Sequence, residues 1–295
     1  LGLLPPGDFR NCIAALADDE ALITQLFQYR FGQGEGLDGH SFGNLFITAL
    51  AAVTGSFERA ILEASRVLAV QGRILPSTLD NVTLVADLEV QDQAAQSRLT
   101  RIQGESAIPR AGKPIERLFL QPEGVRAYPE AVRAILEADL IIAGPGSLFT
   151  SILPNLLVRD IQRAIRASSA PKVYVCNVAT QPGETDGFDV GQHAGVLQRH
   201  VGRDLFPHVL ANSNPLQNQV LPHLKPVAFR YPPDGGYEVH AVDLVDKAAA
   251  WRHDSRKLAD RVLQFCSAHE SQPAPHDSYA DPKSEGRKAV PVDIL

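Results

Sequence analysis

Asp139-Leu140-Ile141-Ile142-Ala143-Gly144-Pro145-Gly146-Ser147 is the stretch whose reading decides the fold. Its unbroken apolar run reads as a strand buried on both faces, the pattern of a parallel sheet sheltered by helices. The run ends in a glycine-rich turn, and a helical segment follows. In an open parallel sheet such a junction lies at the carboxyl edge, where ligands bind. Glycines let the backbone approach a phosphate closely, and the free N–H groups of a helix start attract an anion. Gly144, Pro145, Gly146 and Ser147 are therefore candidate contacts, with Thr150 and Ser151 as further hydroxyl donors. A tight turn that binds nothing satisfies the same pattern, so the motif alone leaves both readings open.

Outward from this turn the chain alternates between helix and strand. Helices are predicted over 129–137, 155–167 and 190–200, with buried strands at 172–176 and 208–211 between and after them. A last short strand is expected at 239–242 and a terminal helix at 257–268. This alternation predicts right-handed βαβ units and an α/β fold: a Rossmann-like, mainly parallel sheet with flanking helices. Upstream, residues 72–125 read as a small β-rich insertion, with strands near 82–88 and 115–120 and a polar hairpin or loop over 91–103. Residues 1–70 read as helical: 9–17 with Asp8 as cap, 20–31, 40–53, and a fourth helix from the Ser56 cap through Val70. Residues 1–268 are expected to form one α/β domain. Residues 269–295, rich in Pro, Ser, Asp, Glu and Lys, are expected to be a disordered tail.

Further segments carry polar chemistry. Cys176-Asn177-Val178-Ala179-Thr180-Gln181-Pro182-Gly183-Glu184-Thr185-Asp186-Gly187 follows the second buried strand and is loaded with polar residues, glycine and proline. Asn177, Thr180 and Gln181 are candidate ligand contacts, Asn177 for a base or sugar edge. Glu184, Thr185 and Asp186 are further candidates; the carboxylates suit a metal or sugar hydroxyls, and capping of the next helix explains Asp186 equally well. Asp38-Gly39-His40-Ser41-Phe42-Gly43-Asn44-Leu45 runs a glycine-rich loop into a helix start. His40 is a candidate acid or base, and a capping or packing group fits the same place. Gly43 and Asn44 suit a helix interior poorly, which a close ligand or a neighbouring helix would explain. Asp8, Arg10 and Asn11 sit at the first helix start, where Arg10 suits a phosphate or a surface ion pair. Trp251-Arg252-His253-Asp254 precedes the last helix and can close over a ligand or simply cap that helix.

The composition excludes several classes. The 295 residues are 44% hydrophobic, enough for a sizeable core, and the net charge of −6 argues against a phosphate-tracking nucleic-acid binder. Cys12, Cys176 and Cys266 are far apart with no C-x-x-C pair, which fits a reducing cytoplasm and argues against a zinc knot or redox dithiol. No apolar run of about 18 residues and no signal-peptide core occur, so a cytoplasmic protein without a membrane span is expected. There is no P-loop, no intact G-x-G-x-x-G, no nucleophile elbow and no H-E-x-x-H. A dinucleotide-dependent oxidoreductase is disfavoured, no metal site is expected, and no catalytic residue is assigned. The chain also lacks methionine altogether.

Five segments together resemble one family: 4–11 (Leu-Pro-Pro-Gly-Asp-Phe-Arg-Asn), 39–45, 65–70 (Ser-Arg-Val-Leu-Ala-Val), 144–158 and 173–187. In this order, over roughly residues 1–267, they resemble the YvcK-type gluconeogenesis factors of the 2-phospho-L-lactate transferase (CofD-like) superfamily. The resemblance implies a cytoplasmic regulator that binds a UDP-sugar such as UDP-N-acetylglucosamine, assembles as a homo-oligomer, and acts in central carbon metabolism, cell shape and cell-wall synthesis. It implies ligand contacts near Gly144, Gly146, Ser147, Asn177 and Asn44, with Arg252 close to the sugar-nucleotide. A regulator of this kind needs no cofactor. The alternative it offers is an enzyme moving a phospholactyl group from a nucleotide diphosphate carrier to a deazaflavin, with Mg²⁺. Members of the family begin with a strand, a Gly-Gly-Gly-Thr-Gly-Leu loop and an Asp-Asp-Gly-Gly-Ser segment. These 295 residues start after both, so part of the family's phosphate cradle is expected outside them. Ala179 stands where the family has a methionine.

Overall fold

A computed structural model describes residues 7–17, 21–34, 36–91, 97–213, 224–270 and 293–294. The chain divides into two compact units, residues 1–77 with 279–295, and residues 78–278.

The first unit is built from α1 (Gly7–Leu16), α2 (Ala21–Gln28), α3 (Phe42–Thr54) and α4 (Phe57–Val67), followed by the two-residue strand β1 (Arg73–Ile74). Ile13, Phe27, Ile47, Ala60, Ile61 and Ala64 form its core. Two caps fix the helix starts. Ser41 accepts from the Asn44 N–H and Ser56 from the Arg59 N–H, so α3 begins at Phe42 and not at His40. Asp8 falls inside α1, not before it, and its side chain lies outside the described residues. Leu22, Leu26 and Tyr29 lie at helical spacing, yet all three are exposed, while Phe27 is buried. Asp293–Ile294 pairs in parallel with β1. The expected disordered tail otherwise lies outside the described residues, apart from 269–270, which finish the last helix.

The second unit opens with an antiparallel sheet of β2 (Thr83–Gln91), β3 (Ser97–Gln103) and β4 (Ile115–Gln121) in the order β3-β2-β4. A short helix α5 (Ala107–Arg110) lies between β3 and β4. Of the two alternatives expected over 91–103, hairpin or loop, the hairpin holds: β3 pairs antiparallel with β2. It is exposed at every residue but Ile102, so it shows none of the alternation that marks a half-buried strand. Its cross-strand anchor is Arg101, whose guanidinium makes two bonds to Asp87 at 2.8 and 3.1 Å and lies over the Phe119 ring. That hydrogen bonding, set against partial burial, holds the Asp87 carboxyl below its ordinary value.

The parallel layer follows as α6 (Pro129–Glu137), β5 (Ile141–Ala143), a π-helical turn Leu148–Ile152, α7 (Leu153–Leu156), α8 (Arg159–Ala167), β6 (Lys172–Val175), α9 (Val190–Val201), β7 (His208–Asn212), β8 (Glu238–Val242) and α10 (Ser255–Glu270). The sheet order is β5-β6-β7-β8 and every pairing is parallel. Val173, Val175 and Leu210 pack beneath Leu258, Val262 and Phe265 of α10. Tyr174, between two of those valines, is fully buried on the opposite face. Two expectations fail in detail. The helix expected at 155–167 begins earlier and is interrupted between Leu156 and Arg159. The strand at 141–143 is not buried on both faces, because among the described residues it pairs only with β6, leaving Ile142 42% exposed. Among the described residues no helix is long and apolar enough to cross a membrane.

Candidate functional site

A cavity of about 800 Å³ opens at the carboxyl edge of the parallel sheet. Among the described residues, three chain segments and Leu224 wall it. The first is the turn Gly144, Pro145, Gly146 and Ser147 after β5; the second is the loop of Asn177 to Gln181 after β6; the third is Trp251, Arg252 and His253 with the start of α10. These are strand ends and a helix start, the places where a parallel sheet leaves backbone groups free of the ladder.

The turn is shaped by its own packing. Gly144 has φ +88°, and a Cβ there would lie 3.0 Å from Ile152 and 3.1 Å from the Val175 carbonyl. Gly146 differs, since a Cβ would meet only ordinary contacts at 3.6 and 3.7 Å. Ser147 does not present its hydroxyl freely. It donates to the Glu184 carboxylate, and the Thr150 hydroxyl lies 2.7 Å from Ser147 Oγ and 3.0 Å from Glu184 Oε1. Glu184 is buried. This triad ties the first strand end to the second, and it leaves Ser147 able to contact a ligand chiefly as an acceptor.

The second loop is similarly fixed. The Thr180 N–H donates to the Lys225 carbonyl, and Val227 donates to Val178. Gln181 N–H donates to the hydroxyl of fully buried Thr185, and the Asn177 amide donates to Gln181 Oε1 at 3.2 Å. Thr185 is thus a brace under the loop. Gly183, at φ +79°, passes so close to Pro109 that a Cβ would lie 1.9 Å from its carbonyl oxygen. Asp186 does not cap the next helix. It accepts from the Gly183 N–H at 2.6 Å, and Asp189 makes the cap, with Gln192 completing a reciprocal capping box.

On the third wall Asp254 caps α10 by accepting from the Arg256 and Lys257 N–H groups. That cap frees the preceding residues to face the cavity. Arg252 is exposed and is the only described lining residue with a fixed charge. His253 Nε2 donates to the Cys176 carbonyl at 3.2 Å; burial pushes its pKa down, so it is neutral at pH 7. Burial pushes the Cys176 thiol up to about 12, which makes it unreactive. Sequence reasoning missed the apolar half of this wall, Leu258 and Val262. Their i, i+4 spacing marks a buried helix face but carries no sign that part of the face borders a cavity.

The remaining candidates belong to the first unit. Gly43 is crowded by the chain itself: a Cβ would lie 2.5 Å from the Phe27 carbonyl and 2.8 Å from Arg10 Cγ. Its absence of a side chain therefore serves helix packing. Arg10 Nε and Asn44 Oδ1 are buried and, among the described residues, have no hydrogen-bond partner. Burial and then the charge of Arg30 push the Arg10 guanidinium down. Asn11 accepts from Arg10 at the surface, and His40 is exposed.

A parallel sheet with a glycine turn at the mouth of a carboxyl-edge cavity defines a Rossmann-like α/β protein. The chain belongs to the CofD family: the model for 2-phospho-L-lactate transferase CofD matches residues 1–268. A gluconeogenesis factor of Bacillus subtilis is 42% identical over 273 residues, covering 90% of this chain and 84% of that protein. A Nostoc relative is 47% identical over 90% of this chain, which spans only 58% of that protein's length. A crystal structure of a Bacillus halodurans protein, described as a member of the UPF0052 family, superposes with a TM-score of 0.78 at 39% identity, over 88% of this chain and 83% of that one.

Proposed function

We propose that the protein binds a nucleotide diphosphate sugar, with UDP-N-acetylglucosamine as its ligand, in the cavity bounded by the 144–147 turn, and that it acts as a regulator. The observation that carries this reading is the cavity at a carboxyl sheet edge, with a glycine at its mouth that a Cβ would not crowd and, among the described lining residues, one cation, Arg252. The volume falls within the range of small-molecule sites. The amides of Asn177 and Gln181 suit a sugar or base edge. The relatives' names support a role in gluconeogenic carbon metabolism. In this reading the protein works in the cytoplasm as a homo-oligomer, and its liganded state reports to cell-wall synthesis and cell shape.

Calorimetry with UDP-N-acetylglucosamine and the full-length protein tests the reading. Saturable binding at one site per chain is expected; no heat and no thermal stabilisation by the ligand would remove its main support. A second reading, suggested by the name of the family, is a transferase of phospholactyl groups to a deazaflavin. Product formation with Mg²⁺ and a nucleotide diphosphate-linked phospholactate would establish that chemistry; binding without turnover supports the regulator.

A further inference from the structure

The amino edge of the same parallel sheet, remote from the strand ends that wall the cavity, gathers a second set of side chains. His208 opens β7 and Glu238 opens β8, and the ladder pairs them directly. His240 lies two residues beyond Glu238 and so projects from the same face. His208 Nδ1 is 3.1 Å from His240 Nε2 and 3.5 Å from Glu238 Oε2, and His240 Nε2 is 3.9 Å from Glu238 Oε1. α10 closes one side, with the Phe265 and His269 rings 5.0 and 4.9 Å from that of His208. The Glu238 side chain stays 67% exposed while those of His208 and His240 are 18% and 26% exposed, so the cluster has an aromatic wall and a wet side.

We propose that His208, His240 and Glu238 bind one zinc ion. Zinc holds nitrogen and oxygen ligands at about 2.0–2.2 Å in a tetrahedron, which spaces them at roughly 3.4 Å. The two imidazole nitrogens lie 3.1 Å apart, and with one Glu238 oxygen all three ligand atoms lie within 4.8 Å of one another, so a small rotation of the exposed carboxylate reaches that spacing. Two imidazole nitrogens and a carboxylate are the donor set of open zinc sites, and the exposed side leaves the fourth position to water. His269 Nδ1 donates to the Phe265 carbonyl at 2.8 Å, which fixes that ring as part of the wall. The absence of any C-x-x-C or H-E-x-x-H gave no hint of this cluster, because strand register and not local spacing assembles it.

The test uses untagged protein, stripped with a chelator and titrated with zinc chloride. One equivalent bound in the micromolar range or tighter is expected. His240→Ala should abolish that equivalent, and Glu238→Gln, at an exposed position, should weaken it at least tenfold with an unchanged melting temperature of the zinc-free form. Cobalt in place of zinc should give the visible bands of a tetrahedral site, lost in His240→Ala. No saturable zinc in the native protein, or the same equivalent retained in a His208→Ala/His240→Ala double variant, overturns the proposal.

Discussion

Two glycine-rich segments of this chain, 39–45 and 144–147, share a sequence pattern and differ in what the glycines do. Gly43 sits under a carbonyl of the preceding helix and the stem of Arg10, so its missing side chain lets two helices touch. Gly146 would place a Cβ in ordinary contact with Ser151 and Ile152, at 3.6 and 3.7 Å, and borders a cavity. Gly183, a few residues past the second strand end, resembles Gly43, since it is pressed on the Pro109 carbonyl. A glycine in a loop before a helix is therefore not by itself a phosphate signal. What distinguishes the cases is whether the absent Cβ would clash with the backbone or make only ordinary contacts.

A methyl group added at each glycine tests that distinction. Gly183→Ala should cost the most, about 3 kcal/mol or more, because overpacking against a backbone atom adds to left-handed strain. Chemical denaturation measures it, and a loss under 1 kcal/mol would break the comparison. Gly43→Ala should cost less, about 2 kcal/mol, because its 2.5 Å approach to the Phe27 carbonyl is milder than the 1.9 Å at Gly183, its backbone carries no left-handed strain and alanine favours the helix. An increase in stability would show that the α2–α3 approach is looser than described.

A pH series probes the packing around the parallel sheet. Burial lowers the pKa values of His193, His200 and His253 from the ordinary 6.5. The unfolded chain then binds more protons below about pH 6.5, so stability is full above that value and falls as the pH drops toward the folded-state values. Thermal melts should lose several degrees between pH 7 and 5; a flat profile would contradict neutral burial of these rings. The smallest effect belongs to Gly146→Ala, expected to shift stability by no more than about 0.5 kcal/mol, since its Cβ meets only ordinary contacts.

Much of the fold was legible in the sequence. The βαβ alternation predicted the parallel sheet, and α6, β6 and α9 fall within a residue of their expected bounds. Elements whose signal depends on neighbours were not legible. β3 is a strand by pairing and not by pattern, and Ile142 is exposed because of where β5 falls in the strand order. In the site, the glycine turn, the Asn177 loop and the 251–253 segment were legible, because strand ends and helix starts can be read from periodicity. The Ser147–Thr150–Glu184 triad, the brace at Thr185 and the use of Asp189 in place of Asp186 as cap were not, since each depends on side-chain geometry across loops.

The central claim is that the open side of the 144–147 turn holds the ligand. Calorimetric titration of UDP-N-acetylglucosamine into full-length protein, native and Gly146→Phe, tests it most directly. The expected result is at least tenfold weaker binding in the variant with an unchanged melting temperature. Equal affinity in the two proteins would contradict it and move the ligand away from this turn.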